Sequence, residues 1–267
     1  MLIYFIYFIK QYFKFKKSKI NPKVSSDIFM IFAKNVKMDY DTRDAVKLLI
    51  DHHDDRLELD DKMLKRFLSK FDLDYLDIYF LHWPDRNTPI SESLGQMELL
   101  KREGKIRFIG LSNFNKTQIE YALKISKIDC VQAQFSLLKQ DVKNMFEFLE
   151  SNDICFMAYG VLGGGILSGK YKKVSQLAKT DVKNFFYRFY KQDVFETNNQ
   201  KIQKMCSLIQ KPCSQIALNW VRAYKEVSCT LFGARSIEQL NQNIDALSWN
   251  LTEKEREVLT NIYEGTC

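Results

Sequence analysis

Leu73-Asp-Tyr-Leu-Asp-Ile-Tyr-Phe-Leu-His-Trp-Pro-Asp85 is the stretch on which the fold turns. Its middle, Leu76 to Leu81, is a short apolar run with β-branched and aromatic residues, bounded by polar and Pro-containing sequence. Such a run reads as a strand buried on both faces, the habit of a parallel sheet. Pro84 cannot donate to a sheet ladder, so the strand runs out at His82. The carboxyl end of a parallel strand is where α/β proteins place chemistry. His82 at that place reads equally as a reacting group or as a buried, hydrogen-bonded histidine.

On either side the pattern alternates. Ile28 to Ala33 reads as a strand, and Leu59 to Phe71 has helical spacing with Asp60 and Asp61 near its start. After the quoted strand come a helix over Ser91 to Arg102, stopped by Gly104, and a strand over Ile106 to Leu111. Then follow a helix (Thr117 to Ser126), a strand (Cys130 to Gln134), a helix (Lys143 to Ser151) and a strand (Ile154 to Tyr159). Lys172 to Gln200 shows no regular period. Ile202 to Ile209 and Ser214 to Tyr224 are helical, Val227 to Phe232 is a strand, and Ile237 to Leu247 and Thr252 to Tyr263 are helices. Thr252 and Glu255 have capping-box spacing.

Strict alternation of strand and helix fits a parallel barrel or a doubly wound sheet. A (β/α)8 barrel needs eight strands and typically about 250 residues. With six recognisable units, the expectation is an α/β protein of the (β/α)8 TIM-barrel class, incomplete at its N-terminus by roughly two units. The domain division expected is an aromatic and basic arm over residues 1–23 and the barrel over residues 24–267.

The formal net charge of +7 is not spread over the chain. Lys10, Lys14, Lys16, Lys17, Lys19 and Lys23 stand in the arm with no acidic residue, so the remainder carries +7 minus 6, or +1. A body this near neutral argues against a nucleic-acid partner. The apolar run Leu2 to Ile9 is too short to span a bilayer, and its positive charges follow it, whereas a signal peptide has them first. No transmembrane segment is expected. The six cysteines include no Cys-x-x-Cys pair, which reads as a reduced set in a cytoplasmic protein.

The strand ends carry Lys34, His82, Ser112-Asn113, Gln132 or Gln134, Tyr159 and Gly233-Ala-Arg235-Ser236. In a barrel these converge on one face as a polar pocket. Each has a plainer reading: Lys34 as a solvated cap, Asn113 and Gln132 as partners of loop backbone, Tyr159 as core. Arg235 and Ser236 set a cation and an N-cap beside free helix N–H groups, which suits a phosphate or an ordinary capped helix. Three motifs are discounted. Gly163-Gly-Gly165 lacks dinucleotide-fingerprint spacing, and Gly169-Lys170 is followed by Tyr171 where a P-loop has Ser or Thr. Asp51-His-His-Asp-Asp55 reads as a solvated charged loop, so no metal site is expected.

Several segments now match a family in register. They are the opening stretch, Gly104-Lys-Ile-Arg-Phe-Ile-Gly-Leu-Ser-Asn-Phe114 and Val131-Gln-Ala-Gln-Phe-Ser-Leu-Leu138. Ala158-Tyr-Gly-Val-Leu-Gly-Gly-Gly-Ile-Leu-Ser-Gly-Lys-Tyr171, Ser214-Gln-Ile-Ala-Leu-Asn-Trp-Val221 and Gly233-Ala-Arg-Ser-Ile-Glu-Gln-Leu-Asn-Gln-Asn243 follow. Over about Asp27 to Tyr263 the chain resembles the aldo-keto reductases, in the branch that includes potassium-channel β subunits and related bacterial reductases. The resemblance implies a (β/α)8 barrel binding NADP(H) and reducing an aldehyde or ketone carbonyl, a small-molecule substrate. It implies that Ser112, Asn113 and Gln132 hold the nicotinamide carboxamide and that Tyr159 stacks on the ring. Gly233, Arg235, Ser236, Gln239 and Asn243 fall in the motif for the adenosine 2′-phosphate end, where an Arg fork favours NADPH. His82 would orient the substrate carbonyl. Lys34 would be the family lysine that, with an Asp, lowers the pKa of the catalytic Tyr.

That Tyr belongs to an Asp-Thr-Ala-x-x-Tyr-Gly type segment, and nothing before Lys34 matches it. Tyr7, near the expected distance, has no Asp before it and is followed by Phe8 in place of Gly. Gly160-Val161 also replaces the usual Ser-Pro. General acid–base assistance typically contributes ~10²–10⁴-fold, so a chain without the Tyr is expected to bind cofactor better than it turns over. The alternative reading is an impaired or inactive barrel that binds NADP(H) or a protein partner.

Overall fold

A computed structural model describes residues 29–33 (as backbone), 74–85, 88–173, 188–234 and 236–264. The strands are Phe29–Ala33 (β1), Leu76–Leu81 (β2), Ile106–Ser112 (β3), Cys130–Gln134 (β4), Cys155–Tyr159 (β5) and Val227–Ala234 (β6). The α-helices are Ile90–Arg102 (α1), Lys116–Leu123 (α2), Phe146–Ser151 (α3), Gln192–Ile209 (α4), Cys213–Arg222 (α5), Ile237–Ile244 (α6) and Glu253–Tyr263 (α7). The strands are hydrogen-bonded in the order β1-β6-β5-β4-β3-β2. From β2 to β6 this is a parallel sheet with intervening helices, a partial (β/α) barrel. Leu76 stands opposite Ile106 and Leu81 opposite Leu111, and Ser112 stands opposite Gln132.

The local reasons are those in the sequence. Leu76, Ile78 and Leu81 are buried on β2, as are Ile106, Ile109 and Leu111 on β3. Leu94, Met97 and Leu100 form the buried stripe of α1, and Gly104 takes a φ of 73° just past its end, the left-handed turn that glycine adopts without penalty. Thr252 caps α7 through a reciprocal box with Glu255.

Four features differ from the expectation. The helix expected over Lys143 to Ser151 starts as a 3₁₀ turn, Asp141–Met145, and is α-helical only from Phe146. Helix α4 begins at Gln192, ten residues before Ile202, because its buried stripe of Phe195, Asn198, Ile202 and Met205 contains a polar residue that hides the helical period. The helix expected over Ile237 to Leu247 ends as α6 at Ile244 and continues as a 3₁₀ turn, Asp245–Ser248. The cysteines are not all reduced: Cys206 and Cys213 form a disulfide with Cα atoms 5.4 Å apart. Gln210, at a φ of 55°, reverses the chain between α4 and α5 and brings the two together. Cys130, Cys155 and Cys229 are buried and free. The disulfide removes the cysteine argument for a cytoplasmic setting.

The described residues divide into two compact units, one holding 74–133 and 147–157, the other 134–146 and those from 158 onward. In the first, buried Asp129 accepts the Ile109 N–H at 3.0 Å and Lys101 Nζ at 3.3 Å, tying the start of β4 to β3. In the second, Phe135 packs against Phe146, Trp220 and Tyr224 at ring separations of 5.3, 5.0 and 5.1 Å. The Trp220 Nε1–H of this cluster donates to Thr260 Oγ1 at 3.0 Å, so the polar edge of a buried ring is satisfied. Among the described residues no helix is long and apolar enough to cross a membrane. The arm over residues 1–23, Lys34, the run Asp51 to Asp55, the helix expected over Leu59 to Phe71 and Arg235 lie outside the described residues.

Candidate active site

Three strand ends of the first unit bring four of the expected residues together. Ser112, the last residue of β3, is 1% exposed, and its hydroxyl donates to Gln132 Oε1 at 3.3 Å. The next residue, Asn113, turns left-handed with a φ of 65° while its N–H remains on the sheet, bonded to the Gln132 carbonyl at 3.0 Å. Asn is one of the few non-glycine residues that adopt this conformation readily. The turn aims the Asn113 carboxamide sideways, where Nδ2 donates to the His82 carbonyl at 2.9 Å and to Ser112 Oγ at 3.1 Å. The result is a directed relay, from the Asn113 amide to the Ser112 hydroxyl to the Gln132 carbonyl oxygen. Its far end is the Gln132 carboxamide. His82 itself is exposed just beyond β2, with Trp83 edge-on to its ring at 5.9 Å.

Close approach below the relay depends on Gly110. A Cβ there would overlap the Phe80 ring, whose Cγ lies 2.9 Å away, so only glycine lets β3 pass under that side chain.

In the second unit, Tyr159 ends β5 half-buried, and its carbonyl accepts the Phe135 N–H at 3.0 Å. Gly160 follows at a φ of 66°, with Gln134 Cγ 3.0 Å from where a Cβ would stand. The Gln134 amide nitrogen is buried and unpaired among the described residues. Gly233 is exposed near the end of β6. Ser236 caps α6 by accepting the Gln239 N–H at 3.3 Å. Its hydroxyl, followed by the backbone N–H of Glu238, holds the exposed Glu238 carboxyl below the usual carboxylate range. Asn243, one turn beyond Gln239, is 4% exposed. The buried Asn243 carboxamide stands on the same short helix as the Ser236 cap.

A family model of the aldo/keto reductase family matches residues 37–264. The chain belongs to this family. Aldo-keto reductase YhdN of Bacillus subtilis is 27% identical over 203 residues, 74% of this chain and 61% of that protein. The NADH-specific methylglyoxal reductase of Escherichia coli is 30% identical over 204 residues, 74% of this chain and 62% of that one. Among solved structures, the glycerol dehydrogenase of Gluconobacter oxydans matches with a TM-score of 0.67 and 26% identity, over 75% of this chain and 62% of that chain. The holo form of an aldo-keto reductase from Bacillus halodurans gives 0.60 and 25%, over 77% and 68%. The chain thus spans about six-tenths of the length of the curated relatives named here.

Aldo/keto reductases use a nicotinamide cofactor, and the residues assigned to it by resemblance separate accordingly. His82, Ser112, Asn113 and Gln132 form one bonded cluster, while Ser236, Gln239 and Asn243 share α6 and its cap. Gln134 and Glu238 were not singled out from sequence as cofactor residues. An acidic residue two positions after a capping Ser is a readable signal for Glu238. The unpaired state of Gln134 depends on tertiary packing and has no sequence signal.

Proposed function

We propose that the chain serves NADP(H)-dependent transfer of hydride to the carbonyl of a small aldehyde or ketone, or the reverse oxidation of an alcohol. The observation that carries this reading is the Asn113–Ser112–Gln132 relay, which ends on the Gln132 carboxamide. A nicotinamide carboxamide presents one acceptor and one donor group, which such a relay complements. Asn243 and the capped start of α6 meet the needs of the adenosine end, with Arg235 supplying the fork for the 2′-phosphate by family correspondence. When bound, the nicotinamide supplies the hydride.

The chain's own part, in the residues at hand, is orientation. The Asn113 bond to the His82 carbonyl fixes the backbone from which the imidazole projects. His82 thereby orients the substrate carbonyl in this reading, and Tyr159 supplies the stacking face. Lys34 is assigned to the proton-donating group, whose Tyr has no counterpart in the motif-matched sequence. A compartment rich in free nicotinamide cofactor, the cytoplasm, is the setting this activity needs.

Quenching of NADPH fluorescence on titration with the chain, with oxidation of NADPH by methylglyoxal that His82→Ala abolishes, is the expected result. Failure to bind either NADPH or NADH would overturn the reading. The missing Asp-Thr-Ala-x-x-Tyr-Gly segment favours a second reading, a barrel that binds cofactor or a protein partner without turnover. Binding unaccompanied by oxidation of any reactive carbonyl would select it.

A further inference from the structure

Helix α5 carries a stripe of Gln215, Asn219 and Arg222, spaced four and three residues apart and therefore on one helical face. Each side chain donates to a main-chain carbonyl of the segment that follows β6. Gln215 Nε2 bonds the Gln242 carbonyl at 2.8 Å, Asn219 Nδ2 the Ala246 carbonyl at 2.9 Å, and Arg222 the Trp249 carbonyl at 3.1 Å. The offset is 27 residues in all three pairs. Gln215 also accepts the Trp249 Nε1–H at 3.0 Å, and Arg222 reaches Asn250 Oδ1 at 2.6 Å. Gln215 and Asn219 are 7% and 2% exposed, so losing either partner strands a buried amide.

The last carbonyls of a helix have no partner within it. Here one of them, the Gln242 carbonyl, is taken from outside by Gln215, and Asn219 and Arg222 take the carbonyls of Ala246 in the 3₁₀ turn and of Trp249 just after it. A shift of α6 by one residue would move the Gln242 carbonyl about 1.5 Å along the axis and rotate it by roughly 100°, breaking its bond to Gln215, while the bonds of Asn219 and Arg222 hold the segment into which α6 runs. The far end of α6 is therefore pinned, and the helix is only two turns long. Its opposite end bears Ser236 and Gln239.

We propose that the Gln215–Asn219–Arg222 stripe is a positioning clamp that sets the start of α6 for the 2′-phosphate end of NADPH, and so sets the preference for NADPH over NADH. This rests on the cofactor assignment above. The three residues do not touch the ligand in this scheme; they act through α6.

The test compares Kd for NADPH and for NADH by fluorescence quenching in the wild-type chain, Gln215→Met, Arg222→Met and Arg222→Lys. Amide hydrogen exchange is followed in parallel at Gln239 and Leu240. The clamp predicts that Gln215→Met and Arg222→Met weaken NADPH about tenfold, the equivalent of one hydrogen bond, and NADH much less. It predicts faster exchange at the start of α6 in both and partial recovery in Arg222→Lys. A structural role alone would lower Tm and leave the ratio of the two Kd values where it was, which overturns the clamp. Arg222 is half-exposed, so its variants carry the test if Gln215→Met does not fold. A wild-type chain that binds neither cofactor refutes the cofactor assignment and the clamp together. Wild-type preference for NADPH with an unaltered ratio in folded variants refutes the clamp alone.

Discussion

Replacing Asn113 tests the relay at the residue where backbone and side chain are both committed. Its φ of 65° lies in the left-handed region, and its carboxamide holds His82 O at 2.9 Å and Ser112 Oγ at 3.1 Å. Asn113→Gly keeps the backbone geometry and loses both bonds. The bonds are part-exposed, so their combined net contribution is about 1 kcal/mol, and glycine adds about 0.5–1 kcal/mol through the unfolded chain. Asn113→Ala loses the same bonds and also forces a Cβ into the left-handed region, at about 1–2 kcal/mol. The expected order of stability is wild type, then Gly, then Ala, with Gly about 1.5–2 kcal/mol and Ala about 2–3 kcal/mol below the parent. Urea unfolding with a common m-value measures the differences, which correspond to a few degrees in Tm for a chain of this size. Both variants should lose NADPH quenching to the same extent, since both remove the amide that polarises Ser112. An alanine variant as stable as the glycine variant would refute the backbone argument. A glycine variant equal to wild type would refute the contribution of the two side-chain bonds.

Gly110→Ala should destabilise by about 1–3 kcal/mol through collision with the Phe80 ring, and adding Phe80→Leu should recover part of the loss in the same urea assay. Burial pushes the Tyr79 phenol up to about 12. Because the folded pKa is raised above its ordinary value of 10.0, the stability it confers is full below pH 10.0 and is lost as pH rises toward about 12. Alkaline unfolding should accordingly be less steep in Tyr79→Phe. Reducing the Cys206–Cys213 bond, or replacing Cys206 by Ser, should cost about 2 kcal/mol by the loop-entropy argument; a Tm insensitive to reductant would contradict the crosslink.

Sequence alone determined the elements whose causes are local. The alternation of apolar runs with helical stripes, the stop at Gly104, and the caps at Ser236 and Thr252 depend on neighbours two to four residues away, and the structure has them where the pattern places them. The strand ends were legible for the same reason, which is why His82, Ser112, Asn113, Gln132 and Tyr159 could be named before any geometry was known. Only the tertiary structure decided what those residues do to one another. The relay needs β3 and β4 in register and Asn113 turned left-handed, and neither is written in spacing. Asn198 inside an apolar stripe hid two turns of α4, because a polar residue buried by packing looks exposed to a period count. Cys206 and Cys213 met because a left-handed Gln210 reverses the chain between two helices. The stripe on α5 looked like part of an ordinary amphipathic helix; its partners lie 27 residues on, and their carbonyls carry no side-chain signature. Local preference sets where a chain can bend and bury, and long-range packing selects which of those polar groups meet.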